Sequence, residues 1–398
     1  MVKSAVLVVK RPGTVPRELL RALQALDMTV ETWTSGQILD PAAGRAPRGD
    51  ILLASSALSP QTIKAVGGRF EGVPHVVAVF ADDDFDTLEP HVRGGLDYIV
   101  PPFLPVLVGA RMGTCLERAR AEARADLLGY ERELQIGREI QRGFLPETLP
   151  TRPGWDLDVR FDPARKVAGD FYDVFELVNR RRLALVVADV CDKGVGAALF
   201  MALIRSLLRH TAEHSGLQSL IVDQAAMAGD GRVIPVVGAT PLMNAVTGTN
   251  GYLTRNHMRQ GYFATMFFCV LDPVTGSLIY INGGHNPPVV ISGSGEPFRF
   301  LEPTGPAVGV VPDCDFSLGS VAIDVGDTLF VYTDGVTEAR NGAGEFFGEE
   351  RLLALLREPA ASATRLLDRV ETSVRGYVGK AEQSDDITMM AVHRREEE

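Results

Sequence analysis

The stretch LALVVADVCDKGVGAALFM, Leu183 to Met201, constrains this chain more than any other. Leu183 to Ala188 is a continuous run of apolar and small residues, the pattern of a buried strand. The run stops at Asp189, and a polar turn follows at Cys191-Asp192-Lys193-Gly194. A helical stretch then opens, with small residues at Gly196, Ala197 and Ala198 ahead of Leu199, Phe200 and Met201. A carboxylate at the end of a buried strand is costly unless something pairs with it, and a metal ion is one solution. The small residues beyond it let backbone come close to whatever the carboxylate holds. One such turn does not define a site; similar carboxylates elsewhere in the chain would.

At 398 residues the chain is long enough for two or three domains, each with its own core. Its formal charge of -11 argues against a general nucleic-acid binder, which needs a basic face. An anionic substrate would need local help from a metal or an isolated basic patch. Cys115, Cys191, Cys269 and Cys314 lie far apart with no CxxC pairing, so neither a zinc knuckle nor a disulfide framework is suggested. Reduced thiols in a cytosol fit that pattern. The apolar run in Met1 to Lys10 is too short for a signal peptide, and no segment is expected to reach membrane-spanning length. The expectation is a soluble, cytoplasmic protein.

Residues 1–105 alternate short apolar runs with helical patterns. SAVLVVK (from Ser4), DILLASS (from Asp50), PHVVAVFA (from Pro74) and DYIVPPF (from Asp97) read as strands, and RELLRALQALD (from Arg17) as an amphipathic helix. That alternation implies a doubly wound parallel α/β sheet. Its rhythm, and GGLDYIVPPF (from Gly94) in particular, resembles the response-regulator receiver domain, where the last segment commonly reads GADDYLTKPF. The departures are chemical. Lys10 and Arg11 stand where a receiver has magnesium-binding acids, Ser55 where it has its phosphoacceptor Asp, Phe80 for a Ser or Thr, and Pro101 for a Lys. The reading is a pseudo-receiver that keeps the fold without aspartyl phosphorylation, the alternative being an unrelated small α/β domain. Asp82-Asp83-Asp84 reads as a charged loop.

Residues 106–146 form a connecting segment rich in Glu, Arg, Ala and Leu. Leu116, Ala119, Ala123, Leu127, Tyr130 and Leu134 recur at steps of three and four, a helical stripe in need of a partner. Ile136, Ile140 and Phe144 continue on a rotated line, and Pro146 ends the pattern. Two readings stay open, one long helix packed on its own domain and a parallel coiled coil in a homodimer.

Residues 147–398 change to short strands and turns. VAGDFYD places Asp170 and Asp173 around aromatics. YFATMFFCVL (from Tyr262), a turn at Asp272 to Gly276 and LIYINGG (from Leu278) make a hairpin. Thr328 to Tyr332 is an apolar strand ending at Thr333-Asp334-Gly335, and Asp385-Asp386 precedes ITMMAVHR. Residues 216–237 fit no regular pattern and read as a surface excursion. Asp189, Asp334 and Asp385-Asp386 thus all sit at strand ends or adjoining turns, and Asp170 can join them. Oxygen-only clusters without Cys or paired His select hard cations such as magnesium or manganese. Taken singly, each Asp also serves as a turn or cap residue.

REIQRGFLP, AGDFYDVF, ADVCDKGVGAALFMA, YFATMFFCVLDPVTGSLIYINGGHNPPVV, TLFVYTDGVTEARN and SDDITMMAV resemble, in order, the successive motifs of bacterial metal-dependent protein phosphatases of the RsbU and sporulation-stage-II-E type. The resemblance covers about Arg138 to Arg394. It implies an α/β/β/α sandwich of two antiparallel sheets flanked by helices, and hydrolysis of phosphoserine or phosphothreonine with two manganese or magnesium ions. Carried across, Asp189 bridges the metals with the Val190 carbonyl nearby. Asp334 and Asp385 complete the ligands, and Asp170 holds a metal directly or through water. Asp173 and Asp386 are weaker candidates, and His285 in GHNPP is expected to shape the hairpin. DVCDKG lacks the His of the eukaryotic DGHGG, so the leaving-group proton is expected from water at the metals rather than from Asp192 or Lys193. No Arg matches the phosphate-binding Arg of those relatives. The implied substrate is a phosphorylated anti-sigma-factor antagonist in partner switching, with an upstream regulator binding the N-terminal domain. The competing readings are a silent pseudophosphatase that sequesters its phosphoprotein and, more remotely, a two-metal phosphodiesterase.

Overall fold

Buried apolar runs alternating with amphipathic helices build a five-stranded parallel sheet in the first of two units, Met1–Arg132. The computed structural model describes residues 4–40, 48–69, 76–81, 86–177, 180–218, 226–227, 233–234, 238–293 and 298–395. The Asp82–Asp84 loop lies outside them. The elements are β1 (Ser4–Val9), α1 (Arg17–Ala25), β2 (Thr29–Thr34), α2 (Ser35–Leu39), β3 (Ile51–Ser55), α3 (Pro60–Gly67), β4 (Val76–Phe80), α4 (Glu89–Arg93), β5 (Asp97–Ile99) and α5 (Pro105–Arg142). Strand order is β2-β1-β3-β4-β5. Alternate residues of β1 feed two separate cores. Ala5, Leu7 and Val9 meet Leu19 and Leu23 of α1 and Val108 and Met112 of α5. Val6 and Val8 join Ile38 of α2 and Ile63 and Val66 of α3 on the other face. Helices on both faces explain why β1 and β3 read as unbroken apolar runs. The edge strand β2, TVETWT, has no buried residue and carries no such run, so the sequence pattern does not reveal it.

At 38 residues, α5 is roughly 57 Å long. Leu127, Tyr130 and Ile140 are each about three-fifths exposed. The two units divide within this helix, after Arg132, where the sequence reading sets 106–146 apart as a linker.

The second unit, Glu133–Glu398, stacks two antiparallel sheets between helical layers. Its elements are β6 (Trp155–Asp162), β7 (Phe171–Leu177), β8 (Arg182–Val190), α6 (Val195–Gln218), β9 (Ala226–Met227), β10 (Val233–Ile234), α7 (Ala239–Asn256), β11 (Ala264–Leu271), β12 (Ser277–Gly283), β13 (Val289–Ile291), β14 (Arg299–Phe300), β15 (Gly319–Ala322), β16 (Thr328–Tyr332), α8 (Glu349–Leu356), α9 (Ala363–Val378) and β17 (Ile387–Arg394). One sheet runs β15-β12-β11-β8-β7 and the other β14-β13-β16-β17-β6. Three apolar layers hold them. Val186 and Ala188 of β8 pack with Met201, Ile204 and Leu242 of α6 and α7. Leu185 and Val187 face Val331, Met390 and Val392 between the sheets. Phe330 and Met389 pack on Leu352, Leu366 and Val370 of α8 and α9. This is the α/β/β/α sandwich expected of the C-terminal part.

Two expectations are corrected. Helix α6 continues to Gln218, so the start of the 216–237 stretch is helical; β9 and β10 pair as a short ribbon, and the remainder lies outside the described residues. Segment Val195–Ser215 is also long and apolar enough by composition to cross a membrane, contrary to the expectation that none is. Its apolar character has another cause, because Ala197, Met201, Ile204, Leu208 and Ala212 form a stripe buried against the β8 sheet.

Candidate active site

Strand β8 ends where expected. Leu183 to Ala188 are fully buried, and Asp189 stands one residue before the end of β8, opposite Thr265 of β11. Asp170 immediately precedes β7, Asp334 lies two residues beyond β16, and Asp385-Asp386 directly precede β17. Because β7 pairs with β8, and β16 with β17, these strand ends gather at one end of the sandwich.

Burial and crowding raise the pKa values of Asp170, Asp189 and Asp334. Burial, followed by the neighbouring Asp334 and Asp385 carboxylates, pushes Asp189 up to about 7. Burial raises Asp170 well above the usual carboxylate range, with Asp189 and Asp386 adding to it. Asp334 is raised by burial and by Asp385. Asp170 is 2% exposed, and its Oδ2 accepts hydrogen bonds from the Thr333 and Thr388 hydroxyls at 2.8 and 2.6 Å. Lys193 Nζ lies 2.8 Å from Asp385 Oδ2 and also donates to the Ser384 carbonyl. Among the described residues no three of these side chains already converge as a ligating group. Neighbouring like charges disfavour ionisation, so the cluster favours a proton or a cation among its carboxylates.

Backbone fit explains two motif glycines. A Cβ on Gly169 would lie 2.7 Å from the Val190 carbonyl oxygen, and one on Gly335 would fall on the Asp386 carbonyl. Only glycine lets the Asp170 and Asp334 turns approach that closely. Gly335→Ala is expected to cost about 1–3 kcal/mol, the scale of overpacking, measured by chemical denaturation; unchanged stability would refute the close approach.

Asp386 is buried, and burial raises its pKa. Its Oδ1 and Oδ2 accept from the backbone N–H of Ala164 and Gly169, both at 2.8 Å. It therefore pins the loop that carries exposed Arg165 and Lys166 and leads into Asp170. Gln141, near the end of α5, holds the same loop: its Nε2 donates to the Ala168 carbonyl at 2.7 Å and its Oε1 accepts from Ala168 N–H at 3.0 Å.

Three further candidates have different surroundings. Asp173 points into the helical layer, where it meets Arg205 at 3.0 Å and Arg209 at 3.1 Å. Asp192 is exposed, with φ +71°, and accepts from Lys193 N–H. His285 is buried, with Nδ1 2.9 Å from Thr265 Oγ1 and its backbone N–H donating to Asn282 Oδ1. Burial pushes its pKa down to about 4, so the ring is neutral at pH 7, and Nε2 faces the Tyr332 backbone without a well-formed bond among the described residues. Lys193, weighed in the sequence only as a proton donor, pairs with Asp385, and Thr333, Thr388 and Gln141 carry no site signal of their own in the sequence. The only local sign was that each belongs to a motif already noted for its carboxylate or turn.

Residues 179–395 match the family described as Stage II sporulation protein E (SpoIIE). The chain belongs to the SpoIIE family. This SpoIIE-type chain is 44% identical over 267 residues to Protein IcfG of Synechocystis sp., which spans 66% of the chain but 41% of IcfG. It is 23% identical over 264 residues to Phosphoserine phosphatase RsbU of Bacillus subtilis, covering 66% of the chain and 70% of RsbU. The solved SiaA-PP2C domain of Pseudomonas aeruginosa shares the fold, with a TM-score of 0.53 at 23% identity over 68% of this chain and 99% of that one. The C-terminal unit is therefore a SpoIIE/PP2C-type phosphatase domain.

Proposed function

We propose that this SpoIIE-type chain is a metal-dependent phosphatase that hydrolyses phosphoserine or phosphothreonine on a partner protein. The observation that carries the reading is the gathering of Asp170, Asp189, Asp334 and Asp385 at adjoining strand ends, with Asp189 pushed up to about 7. An all-oxygen donor set matches two manganese or magnesium ions. In this reading Asp170, Asp189, Asp334 and Asp385, with the Val190 carbonyl, would hold the ions. When bound, such ions neutralise a phosphomonoester dianion and lower the pKa of a water. Thr333 and Thr388 fix the Asp170 carboxylate, and Asp386 fixes the loop leading to it. Lys193 adds positive charge beside Asp385.

Phosphoserine phosphatase is the name RsbU carries, and a phosphorylated anti-sigma-factor antagonist is the partner this resemblance favours. The expected result is manganese-dependent turnover of p-nitrophenyl phosphate by the full chain. No turnover at saturating manganese would favour the pseudophosphatase reading.

The N-terminal unit is read as a pseudo-receiver that responds to an upstream regulator by contact. Its strand order is that of flavodoxin-like doubly wound folds, while Lys10, Arg11, Ser55, Phe80 and Pro101 lack phosphotransfer chemistry. Helix α5 is read as a homodimer element, supported by the exposed Leu127 and Tyr130. Changing Leu127 and Leu134 to Lys is expected to give a monomer with altered turnover. Sedimentation of the unaltered chain as a monomer at micromolar concentration would end the dimer reading.

A further inference from the structure

We propose a second site, for polyphosphate-bearing small anions, at the end of the sandwich opposite the carboxylates. A cavity of about 790 Å³ opens there, lined by Arg152, Arg180, Arg181, Arg182, Arg394 and Arg395 among short turns. Arg182 begins β8 and Asp189 lies seven residues on, which separates the sites by roughly 23 Å of strand.

Six arginines line one cavity in a chain whose formal charge is -11. Among the described residues two carboxylates pair with them. Glu176 pairs with Arg152 at 2.6 Å and Arg180 at 3.3 Å, and Asp272 pairs with Arg182 at 2.9 Å. Arg394 and Arg395 are held differently. Arg394 donates to the carbonyls of Val274, Thr275 and Ile323, and Arg395 to the carbonyl of Trp155. Carbonyls satisfy donors and orient the groups but leave the charge. Gly276, at φ +79°, makes room for this, since a Cβ there would fall on the Arg394 guanidinium and the Ile323 carbonyl. Arg181 is exposed, with no carboxylate partner among the described residues.

Packing alone does not account for six arginines drawn from three distant parts of the chain, of which Arg181, Arg394 and Arg395 have no carboxylate partner among the described residues. Planar guanidinium forks match phosphate oxygens bidentately. The volume lies in the range of small-molecule pockets, and a concave site between turns suits a compact anion better than a broad macromolecular face. Several excess positive charges select a ligand with several phosphoryl groups, whether free polyphosphate or a nucleoside polyphosphate.

Calorimetric titration of the full chain in EDTA tests this, using tripolyphosphate, ATP and GTP in turn, with an oligo-glutamate peptide alongside. Saturable tripolyphosphate binding is expected. Arg181→Ala, at an exposed position, should weaken it, and Arg181→Ala combined with Arg395→Ala should weaken it at least ~10-fold. Arg395→Lys should retain most of it, and Asp189→Asn all of it. A nucleotide bound more tightly than tripolyphosphate would identify a nucleoside polyphosphate as the ligand, and equal or weaker binding would identify free polyphosphate. The proposal is overturned by absence of saturable binding, by indifference to the arginine changes, by loss in Asp189→Asn, or by binding of the peptide alone.

Discussion

Asp189→Asn is expected to lower manganese-dependent turnover at least ~10²-fold, the scale of removing one electrostatic stabiliser from a reacting centre. The same change should stabilise the protein in EDTA. Asp189 keeps its proton in the folded chain up to about pH 7, because burial and the Asp334 and Asp385 carboxylates oppose its ionisation. In the unfolded chain it ionises near its ordinary value of about 4. Folding therefore takes up a proton between these values, and the metal-free fold loses stability as pH rises through that window. Asn carries no such penalty. Its advantage should be small at pH 4 and grow to roughly 2–4 kcal/mol by pH 8, read from denaturant unfolding in EDTA at both pH values. Manganese should reverse the order by stabilising only the chain that retains the carboxylate. An Asn variant with ordinary turnover, or with no gain at pH 8, would remove Asp189 from the centre of the site.

Asp173→Ala should have the opposite profile, with a large loss of stability and little effect on chemistry. Asp173 is 1% exposed and lies between Arg205 and Arg209 on α6. Arg205 has a side chain only 11% exposed, its Nε has no hydrogen-bond partner among the described residues, and burial lowers its pKa. Removing the carboxylate strands that guanidinium in the helical layer, and breaking a buried pair in this way costs about 3–5 kcal/mol. Replacing the pair by apolar groups should cost far less, so Asp173→Leu with Arg205→Met is expected to recover much of the loss. Denaturation midpoints check both variants, and turnover per folded molecule should remain near that of the unaltered chain. A turnover loss comparable to that of Asp189→Asn would place Asp173 at the site after all.

The contrast between Asp170 and Asp173 separates what is local from what is not. Both occur in VAGDFYD, and nothing in the spacing of that segment distinguishes a site residue from a packing residue. Asp173 shares a strand face with Phe171 and Phe175, so alternation commits it to the helical layer once β7 pairs with β8. Asp170 precedes the strand and escapes that rule. Its partners Thr333 and Thr388 lie more than 160 residues away in sequence.

By itself the sequence determined the features whose causes are short-range. The β8 strand, the turn after Asp189 and the β11–β12 hairpin follow from apolar runs and turn residues. The opening of α6 follows from the turn and the small residues after Asp189, whereas the apolar stripe it buries against the sheet does not. Helix α7, ATPLMNAVTGTNGYLTRN, is rich in residues of low helix propensity and forms because Leu242, Ala245, Val246 and Leu253 bury against the sheet. Tertiary structure alone placed Asp386 on the Ala164 and Gly169 amides, Gln141 on Ala168, and arginines from positions 152, 180–182 and 394–395 around one cavity. Each of these joins groups that no strand or helix period connects. They depend on how the two sheets stack, which is set by the summed burial of the whole core rather than by any one stretch.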